Sequence, residues 1–194
     1  YGQIGNGKIG KDYGSNAAAK ETTPVLVPQL NDATRIWAGG FNTCVRRKSG
    51  QTWCWGLNNY GQLGTGSTGG DKGSYQSKPK HATQLSDASL IQGQIWHACG
   101  LLKGGALGCW GTAFHGALGN GESGALKSYG KPVKPKVPGP VRDLSGGALS
   151  LTSGSTAHSC ALNDAGEVWC WGRNDFGQLG AKQAGHSALP VKVL

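Results

Sequence analysis

Methionine is missing from the chain altogether, and no stretch approaches the ~18 consecutive apolar residues that a membrane-crossing helix needs. The first absence implies a processed product or an excised piece. The second leaves no membrane span, and the chain does not open on the charged region of a secretory leader. Charge is scarce as well: only 15% of residues carry it, and 10 Asp and Glu face 19 Lys and Arg. The resulting net charge of +9, with a pI near 9.4, favours polyanions such as nucleic acid, anionic glycans or acidic proteins without choosing among them. What is plentiful is glycine, at 35 residues, and the chain holds 7 tryptophans. Disordered chains are poor in aromatics, so the tryptophans imply a packed core and the glycines many turns. An all-β protein of one domain fits that composition at this length.

Self-similarity decides the fold class. "VWCWGRNDFGQLG" from Val168 has counterparts in "TWCWGLNNYGQLGTG" from Thr52, "LGCWGTAFHGALGNG" from Leu107 and the opening "YGQIGNG". Aligning Tyr1, Tyr60, His115 and Phe176 gives a unit of nearly sixty residues with loops of variable length. The expected division is a partial repeat over 1–34 and full repeats over 35–88, 89–147 and 148–194.

The six cysteines follow the same unit: Cys44 and Cys54, Cys99 and Cys109, Cys160 and Cys170. Each pair brackets a hairpin. Setting Cys160 opposite Cys170 puts Leu162 opposite Val168 and leaves Asp164-Ala165-Gly166 as a three-residue loop. Lys48-Ser49-Gly50 and Lys103-Gly104-Gly105 match it, each with glycine at the third place, where a left-handed conformation is needed. Directly opposed residues of antiparallel strands have Cβ atoms about as far apart as a disulfide requires. Three disulfides within hairpins are therefore expected, with free buried thiols as the alternative, and the disulfides would imply an extracellular or periplasmic protein. Zinc needs converging ligands at closer spacing, which the chain lacks.

Alternation puts Cys160, Leu162, Val168 and Cys170 on one face of the hairpin and Ala161, Trp169 and Trp171 on the other. With both faces apolar, such a sheet belongs between neighbours, as propeller blades do. Four strands per repeat are expected. In the last copy they run from Leu149, His158, Glu167 and Pro190, and in the first copy three run from Arg35, Thr43 and Gln51. A further strand is expected at "PVLVPQL" from Pro24.

"HSCALNDAGEVWCWGRNDFGQLG" resembles the repeat of the regulator of chromosome condensation family, whose best-known form is a seven-bladed β-propeller. The likeness covers nearly the whole chain. The middle copy departs from it, with Gly108 where Trp53 and Trp169 stand and Ala117 where Gln62 and Gln178 stand, which predicts a looser blade. The founding member is a nucleotide-exchange factor for a small GTPase that binds chromatin. Other members are binding domains, and a related bacterial propeller inhibits β-lactamases. The wedge-like insertion on which exchange depends is not identifiable here. Three blades and a spare strand do not close a ring of seven, so the expected partner is the remainder of a longer propeller chain or a second copy.

No residues stand out as catalytic, and no cofactor is implied. "GTGSTG" at Gly64–Gly69 has dinucleotide-loop spacing but no helical pattern after it. His97 and His158 precede cysteines by two residues, yet Asn42 holds that place in the first copy, which favours a structural role over an acid-base one. Asp164 and Asp175 suggest no acid-base pair. The three loops after the Gly-Gln-Leu-Gly segments carry ten of the 19 Lys and Arg. They form a candidate basic binding rim of Lys8, Lys11, Tyr13, Lys72, Tyr75, Lys78, Lys80, Lys127, Tyr129, Lys131, Lys134 and Lys136, suited to an acidic protein or polyanion. The sequence thus reads as a secreted, non-enzymatic binding or structural propeller module. An exchange or chromatin-binding propeller and an enzyme inhibitor are the alternatives.

Overall fold

The structure, a computed structural model, describes residues 2–9, 21–68, 74–124, 126–147, 157–182 and 185–194. Twelve strands occur among them: β1 (Ala33–Ala38), β2 (Asn42–Arg47), β3 (Thr52–Leu57), β4 (Tyr75–His81), β5 (Leu90–Gly93), β6 (His97–Leu101), β7 (Leu107–Thr112), β8 (Ser128–Val133), β9 (Val141–Gly147), β10 (His158–Asn163), β11 (Val168–Arg173) and β12 (His186–Lys192). They form three four-stranded antiparallel sheets, β1-β2-β3-β4, β5-β6-β7-β8 and β9-β10-β11-β12. No α-helix is present among the described residues. β1 touches β5 and β5 touches β9, so the sheets fan out from their first strands and carry β4, β8 and β12 outermost.

The central hairpins take the expected register. Cys160 pairs with Cys170 and Leu162 with Val168, and Gly50, Gly105 and Gly166 all adopt positive φ at the loop ends. Cys44 faces Cys54, Cys99 faces Cys109 and Cys160 faces Cys170, with sulfur atoms 2.12, 2.01 and 2.10 Å apart.

The first strand of the last sheet is β9, upstream of the expected Leu149–Ser153 stretch, which lies outside the described residues. β9 qualifies because a bulge at Arg142 brings Val141 and Leu144 to one face, and both enter the core between the second and third sheets. Pro24–Leu30 forms no strand: Pro24 and Pro28 donate no backbone hydrogen bond, Leu26 is 90% exposed, and no described strand pairs with the segment. β4 and β8 arise within segments that read as loops.

Two cores lie between successive sheets. In the first, Trp110 packs with Cys44, Cys54, Leu63, Leu85 and Ile91. In the second, Trp171 packs with Cys99, Cys109, Leu118, Val141 and Leu144. The cysteine pairs of the first two sheets are thus each covered by a tryptophan from the next sheet. Burying an indole of roughly 200 Å² at ~25 cal/mol per Å² stabilises by at most about 5 kcal/mol. The first tryptophan of each Trp-Cys-Trp does something else: Trp53 and Trp169 are half-buried at the hairpin ends rather than between sheets. Trp169 donates its indole N–H to Glu167, and the Arg47 guanidinium lies 5.4 Å from the Trp53 ring.

Candidate binding surfaces

A single joint is built three times. The indole N–H of Trp55 donates to the carbonyl of Gln3 (2.7 Å), that of Trp110 to Gln62 (3.0 Å) and that of Trp171 to Ala117 (3.0 Å). Every acceptor belongs to the turn of the preceding repeat. The first glycine of each turn lies so close to the next outer strand that a Cβ on it would stand 2.7 Å from Ser77 Cα at Gly2, 2.7 Å from Gly130 Cα at Gly61 and 2.4 Å from Ala188 Cα at Gly116. Only a residue without a side chain permits that approach. The middle copy's departure at Ala117 leaves the joint intact, because the acceptor is main chain.

The fourth copy of the turn, Gly177–Gly180, is built the same way. Leu179 N–H donates to the Asn174 side chain as Leu63 N–H does to Asn58, and Phe176 N–H donates to Gln178 as Tyr60 N–H does to Gln62. Yet no atom lies within 4 Å of a Cβ placed on Gly177, and Phe176 is 84% exposed, whereas Tyr60 meets the Trp96 ring edge-on at 5.4 Å. The adjoining face of the last sheet is equally bare. Cys160 and Leu162 are half-buried and Val168 is 40% exposed, while Cys44 and Cys99 are buried. No described element packs on this side, as an arc of three blades that does not close a ring implies. At the other end of the arc Ile36 of β1 is 68% exposed.

The residues of the candidate basic rim divide by environment. Lys11, Tyr13 and Lys72 lie outside the described residues. Lys8 pairs with Glu21 at 2.9 Å and Lys127 with Glu122 at 3.7 Å, and Tyr129 donates to Glu122. Lys8, as hydrogen-bond donor and as a charge, holds the Glu21 carboxyl below its usual range. Chiefly the Tyr129 hydroxyl does the same for Glu122. Lys78 and Lys80 lie on β4, Lys131 on β8, and Lys134 and Lys136 just beyond it, all exposed and without a carboxylate partner among the described residues; Tyr75 begins β4. These lysines mark the outer edge of the fan. Pro79, Pro132 and Pro190 take equivalent places on the three outer strands, where a missing N–H breaks no ladder bond. Lysine and proline are also what keep an edge strand from pairing with another chain.

His97 is fully buried, and its Nε2 stands 3.0 Å from Ser159 Oγ on the neighbouring sheet. Burial, helped by the charge of His158, pushes its pKa down to about 3. A neutral imidazole joining two sheets is a structural element, and sequence spacing alone gave no sign of its partner.

Two family profiles, both described as the Regulator of chromosome condensation (RCC1) repeat, match the chain, one at residues 34–62 and 150–178 and the other at 49–100 and 165–194. The chain is 28% identical over 179 residues to the RCC1 domain-containing protein RUG3, mitochondrial, of Arabidopsis thaliana, covering 91% of this chain and 38% of that protein. It is 27% identical over 202 residues to the Ultraviolet-B receptor UVR8 of the same plant, covering 95% and 40%. The chain thus spans about two fifths of these relatives. Among solved structures, Prp20p of Saccharomyces cerevisiae superimposes with a TM-score of 0.67 at 18% identity, over 84% of this chain and 38% of that one. With matched repeats at both ends, three blade-like sheets and that superposition, the chain belongs to the regulator of chromosome condensation repeat family of β-propellers.

Proposed function

We propose that the chain is a non-enzymatic protein-binding module whose outer strands β4 and β8 dock an acidic partner. The supporting observation is the set of five exposed lysines, Lys78, Lys80, Lys131, Lys134 and Lys136, none of them paired with a carboxylate among the described residues. Long-range attraction of this kind steers encounter and weakens with salt, because the Debye length shrinks from ~10 Å at 0.1 M to ~3 Å at 1 M. Titrating the protein with an acidic peptide at rising salt tests the reading. Binding that collapses with salt, and on changing Lys78 and Lys131 to Glu, supports it; salt-independent binding overturns it.

The bare face of the last sheet favours a second, compatible role: seating a further blade, from the remainder of a longer propeller chain or from a second copy. Its Gly177–Gly180 turn already has the form that receives a tryptophan in the other joints. Sedimentation tests this. Self-association abolished by Leu162→Lys with Val168→Lys is expected, and a monomer at every concentration that captures no added blade would refute it.

The cysteine pairs support an extracellular or periplasmic protein. Intact mass of the native protein should rise by six hydrogen atoms on reduction, two per disulfide; six free thiols beforehand would instead favour a reducing compartment. There the exchange or chromatin-binding alternative is tested by nucleotide release from a small GTPase, as the binding of Prp20p to Gsp1p and histones suggests.

A further inference from the structure

Besides Ala117, the middle blade differs from its neighbours at the first tryptophan position. In the first blade Trp53 stacks on His81 across the strands, ring centroids 5.9 Å apart, with the Arg47 guanidinium 5.4 Å from its ring. In the last, Trp169 pairs in register with Lys192. Counting from the aligned cysteines, the middle blade puts Gly108 at the tryptophan position, Leu102 at that of Arg47 and Lys134 at that of His81 and Lys192.

The blade has not simply closed over the difference. Leu102 Cδ1 and Pro132 Cβ approach within 2.9 and 2.8 Å of where a Cβ on Gly108 would stand, so the glycine itself is buried. Beside it a cleft of about 340 Å³ remains, lined by Leu102, Leu107 and Gly108 on one side and by Pro132, Val137 and Pro140 on the other. No acidic residue lines it, and Lys134 does. That volume lies in the range of sites that take a small organic group.

We propose that this cleft receives an aromatic side chain, a tryptophan above all, presented by an acidic segment of a partner protein. The first blade holds its own indole at the corresponding place, against the His81 ring and the Arg47 guanidinium, so the blade architecture accommodates that shape. An indole entering from outside meets apolar walls, and Lys134 is placed to offer a cation to its face. Lys131, Lys134 and Lys136 supply the charge complement to acidic flanks. Interface anchors of this kind are enriched in tryptophan. The inference rests on the reading of β8 as part of a docking edge and names what docks.

The test uses the 194-residue protein and three short peptides. One carries 5-fluorotryptophan among glutamates, the second replaces that tryptophan with alanine, and the third keeps it but replaces the glutamates with glutamines. Affinity is read by fluorine NMR for the labelled peptides and by calorimetry for all three. The alanine peptide should bind about tenfold more weakly than the first. Ala106→Trp, which blocks the mouth of the cleft from an exposed position, should weaken the first peptide about tenfold and leave the alanine peptide unchanged; Lys134→Glu should also weaken the first. Equal affinity of the first two peptides overturns the cleft while leaving the acidic docking edge standing. Equal binding of the first and third peptides upholds the cleft and overturns the acidic flanks and the edge; binding of the glutamine peptide alone overturns the proposal. No binding by any peptide, or tryptophan-dependent binding indifferent to both variants, overturns the proposal.

Discussion

Gly116 and Gly177 have the same backbone conformation, φ +76° and +77°, and differ in what stands over them. Alanine at Gly177 meets only the left-handed backbone penalty, about 1 kcal/mol. Alanine at Gly116 would also drive a methyl into the Ala188 backbone, so it is expected to destabilise by roughly 2–4 kcal/mol. Urea unfolding of the two variants measures the difference, and equal losses would mean that the seat of turn on strand contributes nothing. His97 gives a pH prediction. Its folded pKa of about 3 lies below the ordinary value of 6.5, so between those limits the unfolded chain binds the extra proton and stability falls as the medium is acidified. Well above pH 6.5 the residue has no effect; by pH 4.5 the loss is on the order of 3 kcal/mol. His97→Asn, the residue type at Asn42, should flatten that slope in denaturant titrations. The imidazole's role was hidden in the sequence because Ser159 is 62 residues away.

Each disulfide joins strands already paired and closes a short loop, with a sequence separation of 10. In the chain-entropy account such a loop is worth about 2.7 kcal/mol. Replacing both cysteines of one hairpin by serine should lower unfolding free energy by about that amount without changing the fold, as followed by circular dichroism. Access differs more than loop length. Cys160 is half-buried at the bare face while every other cysteine is buried, so graded reductant followed by alkylation and mass spectrometry should open Cys160–Cys170 first. Simultaneous reduction of all three would show that the face is covered in solution. The central hairpins were legible in the sequence because three local signals coincide in them: cysteine spacing, alternation and a loop glycine. β4 and β8 were not. An edge strand bonds on one side only, so it tolerates the Lys-Pro composition of "SKPKH" and "GKPVK" that elsewhere marks a loop. Gly108 was visible as a departure, but the cleft beside it depends on prolines some thirty residues downstream.

At the scale of the whole molecule, the repeat predicted the fan of sheets, and the family likeness its propeller character. The surfaces were not legible, because they depend on which side chains the fan leaves uncovered. Calorimetric melting of the isolated chain with and without a seated partner should show the consequence: a cover on the Cys160–Leu162–Val168 face raises the melting temperature with partner concentration by mass action. A melting temperature indifferent to partner concentration would count against that seat. The joint between blades also bears on how such molecules change over time. Because the tryptophan bonds to a main-chain carbonyl, Ala117 serves as well as Gln62, and side chains there drift without loosening the frame. A repeat can therefore change even a buried side chain, as the middle one has at Ala117, while keeping its main-chain joint to its neighbours as an interchangeable building part.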